Sequence, residues 1–184
     1  MSTKRVPKKT WREEHGVIYL PPLISDGTTG PGWIPRLESK DFRIGDYAKK
    51  VLQSSDFKPT SGVRTEVAVL KGMLFEDNDR ITKNIRVKAY AGTFTQQRKL
   101  FDPNAELVCL ICEKFTDEEI EAMGLWHIVT MHEPINDSDG GTSLLGARRS
   151  GGSRWLYACS GRPGIRWYRG YCFAFVVSQV SSQH

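Results

Sequence analysis

The chain has 184 residues, 39% of them hydrophobic and 26% charged, with a net charge of +5, which describes one ordinary soluble domain with room for a core. Its longest clean apolar run, 172–177, is too short to cross a bilayer, and its N-terminus lacks the apolar stretch of a signal peptide. The expectation is synthesis in the cytosol, with the four cysteines reduced.

The charge is polarised. Residues 1–12 bring five cations (Lys4, Arg5, Lys8, Lys9 and Arg12) and no acid, and residues 140–184 bring six arginines with neither lysine nor acid. Charge therefore runs +5, −6, +6 along the chain. Such a layout binds a polyanion at its ends, or another copy of the chain, tail against acidic middle.

In chain order, residues 1–15 are basic, hold Pro7 and read as a disordered arm. GVIYLPPLISDGTTGPGWIPRL follows, rich in Pro and Gly but carrying Ile18, Tyr19, Leu20, Leu23, Trp33 and Ile34. A flexible linker does not carry that many large apolar groups, so the segment reads as extended and docked on the chain's own body or on a neighbour. Order is expected from Ser39, which gives residues 1–38 as arm and docking segment and 39–184 as a single globular domain. DYAKKVLQSS sets Tyr47, Ala48, Val51 and Leu52 on one helical face. SGVRTEVAVLKGMLF sets Val63, Val67, Leu70 and Leu74 at helical spacing behind Ser61 and predicts a second helix, although its valines also suit a strand.

The period then becomes two. NIRVKAYAG alternates Ile85, Val87, Ala89 and Ala91 against Arg86, Lys88 and Tyr90, a strand pattern. A turn at Asp102, Pro103 and Asn104 leads to a strand in ELVCLICEK. TDEEIEAMG predicts a short helix with Thr116 and Glu119 as capping box and Gly124 as its stop. LWHIVTM reads as a strand, HEPINDSDGGTSLLGARRSGGS as a long mobile loop, and RWLYACSGRPGIRWYRGYCFAFVVS as a hairpin around 161–164. The expected fold class is α+β: an antiparallel sheet packed against two N-terminal helices plus one short helix, with a disordered basic arm.

Few residues group for chemistry. Cys109 and Cys112 with His127 and His132 have loose zinc spacing, but both cysteines sit in an apolar run expected to be a strand, where an offset of three points them apart. No metal or other cofactor is therefore expected. DSDGG lacks the later ligands of a calcium loop, and GGTSLLGARRSGG lacks the ending of a phosphate loop. No nucleophile stands beside a recognisable base, so the expectation is a protein that is not an enzyme. The C-terminal third is more telling. Arg148, Arg149 and Arg154 flank the expected loop, and Arg166 and Arg169 alternate with Trp167, Tyr168 and Tyr171. Guanidinium forks with aromatic rings suit phosphate and bases; a solvated strand face with core aromatics is the plainer alternative.

A basic arm, a proline platform (IYLPPL), a helix (FRIGDYAKKVLQSSD), a second apolar helix (EVAVLKGMLF) and strands IRVKAYAG and ELVCLICEK follow one another in an order that resembles the matrix proteins of rhabdoviruses. The likeness covers roughly residues 15–130 and includes no signature motif. It implies a small structural protein of the virion, at the host cytoplasm and membrane periphery, that condenses the nucleocapsid, lines an anionic membrane, self-associates and drives budding. Animal members carry a Pro-Pro-x-Tyr late motif; here Pro21 and Pro22 are followed by Leu23 and Ile24, and Tyr19 precedes them, which suits a plant-infecting member better. On this reading the N-terminal and C-terminal cations bind membrane, RNA or nucleoprotein, and Tyr19, Leu20, Pro21, Pro22 and Leu23 dock on a neighbouring copy. KRVPKK also fits a nuclear-import signal. A nucleic-acid-binding module using the same cations is the main alternative.

Overall fold

Val67, Ala68, Val69 and Leu70 are all buried, and a strand accommodates such a run only when both of its faces are covered. The computed structural model, which describes residues 9–136, 139–150 and 152–181, places this run in a central strand. In chain order the elements are β1 (Arg12–Glu14), β2 (Val17–Asp26), α1 (Gly30–Glu38), β3 (Phe42–Ile44), α2 (Asp46–Leu52), β4 (Ser61–Lys71), α3 (Thr82–Ala91), α4 (Leu107–Lys114), α5 (Asp117–Met123), β5 (His127–Thr130), β6 (Ile135–Asn136), β7 (Thr142–Ser150), β8 (Ser153–Ser160) and β9 (Tyr171–Ser181). Among the described residues the strands form one sheet in the order β1-β2-β4-β9-β5-β7-β8-β3, with β6 paired to β7 beside β5. The β5–β9 and β3–β8 pairs are parallel and the rest antiparallel.

This corrects the expected fold class. The sheet is mixed, and the helices are spread through the first two-thirds of the chain instead of lying only at its N-terminal end. SGVRTEVAVLKGMLF is mostly strand because Val67 and Val69 point to one layer and Ala68 and Leu70 to the other. The helical spacing there comes from a strand buried on both sides. Conversely, NIRVKAYAG lies in α3: Ile85 and Ala89 are buried one turn apart, while Val87 is 64% exposed. ELVCLICEK is α4, an apolar helix packed between the sheet and other helices, so its polar face is too narrow to show a helical period. The expected loop at 132–153 contains β6 and β7. The expected C-terminal hairpin is absent too: β8 pairs with β7, and residues 161–170 cross the sheet to start β9. The helix α2, the strand β5 and the capped α5 match expectation; Thr116 accepts from the Glu119 N–H, Glu119 returns the bond, and Gly124 stops the helix at φ +73°.

The proline-rich segment docks on its own chain. Val17–Asp26 is β2, hydrogen-bonded to β4, and Gly30–Glu38 is α1, capped by Thr29 with Trp33 and Leu37 buried. Order thus begins well before Ser39, and β1 already lies at 12–14. The arm residues 1–8, including Lys4, Arg5 and Lys8, lie outside the described residues. Pro21 and Pro22 fall where the β2–β4 register shifts, between Leu20 and Leu23. Beyond the short β1 pairing, which ends at Tyr19, they blunt an outer sheet edge because proline brings no N–H to pair.

Two layers cover the sheet. On one face, α1, α2, α4 and α5 pack over Ile18, Val67, Ile128, Leu145, Leu156 and Ala174. Arg36 ties this layer together by bonding Glu113 on α4 and Asp26 at the end of β2. The opposite face carries α3 and the crossing segment around Trp167, over Val129, Leu144, Phe173 and Phe175. Trp167 donates to Thr82 Oγ1 at 2.9 Å, and the α3 N-terminus is closed by the carbonyls of Pro163 and Ile165.

Candidate nucleic-acid interface

The second layer is narrower than the sheet. At one end of that face, one register position runs across five strands. Tyr171 on β9 stands beside His127 on β5, His127 beside Arg148 on β7, Arg148 beside Trp155 on β8, and Trp155 beside Arg43 on β3. Each neighbours an inward residue of the helical layer (Cys172, Ile128, Ala147, Leu156, and Phe42 with Ile44), so strand alternation sends all five to the α3 face. Four strand spacings make the row roughly 19 Å long.

The side chains are in register contact. The Arg148 guanidinium lies 5.8 Å from the centre of the Trp155 ring and 5.4 Å from that of Tyr157; Arg43 lies 5.7 Å from the same Trp155 ring. One indole is therefore flanked by two cations. At the other end, the rings of His127 and Tyr171 are 4.9 Å apart, and Tyr168, 81% exposed, stacks on Tyr171 at 6.4 Å. Arg162, Arg166 and Arg169 are exposed on the crossing segment beside it. Arg43 and Arg148 are exposed, and neither forms an ion pair with a described residue.

Two buried polar atoms lie under the row. The Tyr157 ring crosses β7 at Gly146, where an added Cβ would sit 2.8 Å from Cζ, 2.9 Å from the hydroxyl and 2.9 Å from the Ile128 carbonyl. Only glycine leaves room for that ring. The Tyr157 hydroxyl is buried with no hydrogen-bond partner among the described residues, and so is His127 Nδ1. Burial pushes the phenol's pKa up, and burial with the nearby Arg148 charge holds the His127 imidazole below its ordinary value.

The expected polyanion residues divide between faces. Arg148 lies in the row, but its chain neighbour Arg149 points to the helical layer, where Asp117 holds it at 2.8 Å. Arg154 is also on that side, 3.7 Å from Asp117 and bonded to the Lys40 carbonyl. These two arginines serve packing around α5. Arg166 and Arg169 stand near the Tyr168 end, Arg166 donating to the Asp77 carbonyl at 3.2 Å. Lys9 and Arg12 are exposed at the β1 end, over the rings of Trp11 and Tyr19, with Arg12 paired to Glu14. Arg43, Trp155 and Tyr157 are missing from the sequence-based set, and His127 is there only as a candidate metal ligand. The period-two run Trp155, Tyr157, Cys159 opposite Leu144, Gly146, Arg148 is the signal that reveals most of them, once β7 and β8 are recognised as partners.

Of the expected self-association residues, Tyr19, Leu20 and Leu23 are buried in the chain's own core at 8%, 6% and 3% exposure, while Pro21 and Pro22 are half-buried. The Cys/His set does not converge either. Cys109 and Cys112, one helical turn apart, face the core of the helical layer, where burial raises both thiols, Cys112 to about 12. His127 is on the other side of the sheet. His132 is fully used: Nδ1 bonds the Glu133 carbonyl at 2.7 Å and Nε2 accepts the Leu145 N–H at 2.9 Å. Among the described residues no helix is long and apolar enough to cross a membrane. Comparison with protein-family models, with curated proteins and with solved structures finds no match to this chain.

Proposed function

We propose that this chain is a non-enzymatic structural protein of the matrix type, which engages nucleic acid or nucleoprotein through the open end of its α3 face and an anionic membrane through its N-terminal cations. The row Tyr171–His127–Arg148–Trp155–Arg43 carries the reading: two arginines stand among three rings on one sheet face with no acid in the row. Guanidinium groups neutralise phosphates, and rings offer faces to bases, so the combination suits nucleic acid better than an isolated charge patch does. Placement supports a bridging role. Lys9 and Arg12 are at the β1 edge, while Arg43 is on β3 at the opposite edge of the eight-strand path. Seven spacings separate them by roughly 34 Å, enough to hold two anionic bodies apart.

The test compares the variant Arg43→Ala/Arg148→Ala with Arg149→Ala/Arg154→Ala for binding to mixed-sequence RNA across salt. The first pair should weaken binding at least tenfold and lower the slope of log affinity against log salt by about 1–2. The second should leave both nearly unchanged. The opposite ranking overturns the assignment of the face. Flotation with phosphatidylserine vesicles should follow the N-terminal cations and not the row; loss of flotation in the row variant contradicts the bridging arrangement.

A further inference from the structure

Within that nucleic-acid reading, we infer that the row is a reader of unpaired nucleotides: one base stacks on Trp155 between Arg43 and Arg148, and the Tyr157 hydroxyl and His127 Nδ1, buried beneath Arg148 in the free protein, bond the same strand once Arg148 turns outward onto a phosphate. Three observations carry this. The first is shape. The rings lie on a sheet face, with no protruding helix at the row to enter a groove, and a duplex hides its base faces within its own stack. Only an unpaired strand can lay bases on such a platform, and stacking needs no particular sequence.

The second is spacing. Arg43 and Arg148 stand one strand on either side of Trp155, roughly 10 Å apart at the backbone, and both guanidinium groups lie within 6 Å of its ring centre. A base that stacks on the indole displaces one of these guanidinium groups from over the ring, and both stand one strand away to meet its flanking phosphates. The Tyr168–Tyr171 stack begins two strands beyond Arg148 and offers a second platform for the same strand.

The third is the pair of orphaned polar atoms. Buried hydroxyl and imidazole nitrogen atoms are nearly always hydrogen-bonded in folded proteins, and here two without partners flank one arginine. Gly146 is what keeps the Tyr157 ring over the sheet in this position. A phenol selected for packing alone is served equally well by phenylalanine; the hydroxyl has a use only when a partner arrives.

The experiment uses the full chain and a fluorescent mixed-sequence RNA ten-mer, single-stranded or annealed to its complement, read by anisotropy, with phosphatidylserine vesicles as a third arm. The single strand should bind at least tenfold tighter than the duplex. Trp155→Ala should weaken it roughly 5- to 150-fold. Tyr157→Phe should weaken it several-fold with no fall in melting temperature, a combination that a packing role does not produce. Equal affinity for both RNA forms, with Trp155→Ala and Tyr157→Phe silent but Arg148→Ala weakened, overturns the inference and leaves the nucleic-acid reading standing. Binding to vesicles alone, with neither RNA form bound, removes both.

Discussion

Replacing Tyr157 with phenylalanine separates stability from binding at a single atom. The hydroxyl is buried and bonds no described residue, and burying such a group without a partner costs about 1–3 kcal/mol. Phenylalanine keeps the ring over Gly146 and removes only the oxygen. The small gap left beside the Ile128 carbonyl and the Gly146 backbone returns part of the gain, so the free protein should become more stable by about 1 kcal/mol. In a chain of this length that corresponds to a melting temperature roughly 2–4 °C higher. Urea unfolding should show a higher midpoint at unchanged slope. Gly146→Ala is the counterpart. Its Cβ would meet both the phenol and a fixed backbone carbonyl at 2.8–2.9 Å, so it should lose about 1–3 kcal/mol by overpacking. A loss of 1 kcal/mol or more in Tyr157→Phe would mean that the hydroxyl is already bonded in the free protein, and its description as unpartnered would be incorrect.

Other consequences follow from the same packing. His132 is almost wholly buried, with its pKa held down at about 4 against an ordinary 6.5; the unfolded chain takes up the proton first, so stability should fall by roughly 3 kcal/mol as pH drops from 6.5 to 4, and a flat urea midpoint over that window contradicts it. Arg36 holds the Glu113 carboxyl below its ordinary value, and Thr28 with Arg36 does the same for Asp26, so the contribution of Arg36 is complete at neutral pH and is lost progressively as pH falls below the ordinary carboxylate range. Arg36→Ala should cost about 1–2 kcal/mol at pH 7, given the partial exposure of the cluster, and much less at pH 3. Thr116→Ala removes half of the α5 capping box and should cost about 1 kcal/mol, seen as a lower melting temperature with intact β-sheet circular dichroism.

Local punctuation was legible at α5 but not at α1, whose Thr29 cap stands in the segment expected to be extended. The helix α5 has its capping box and its stop glycine written in sequence, and the structure matches them. By contrast, α3 begins at an N-cap, Ile81, that has no side-chain cap bond; its first N–H groups are met by Pro163 and Ile165 from the far end of the chain. No local reading finds such a helix start. The same holds for α4, whose N-cap Glu106 spends its side chain on Thr60 instead of on the helix. β4 misled in the other direction, because a strand covered on both faces loses its alternation. The site was half legible. The acid-free, arginine-rich C-terminal third was visible, but the neighbours Arg148 and Arg149 go to opposite faces only if that stretch is a strand. Arg43 joins the row through a three-residue parallel pairing with β8, a contact more than a hundred residues long in sequence.

The most direct test of the account is photo-crosslinking of a single-stranded RNA carrying 4-thiouridine to the full chain, with the attached peptides identified by mass spectrometry. Crosslinks should concentrate at Trp155, Tyr157, Tyr168 and Tyr171, weaken in Arg43→Ala/Arg148→Ala, and be displaced by unlabelled single strands more readily than by duplex. Crosslinks centred on α5 or on the β1 edge, with the row untouched, would contradict it.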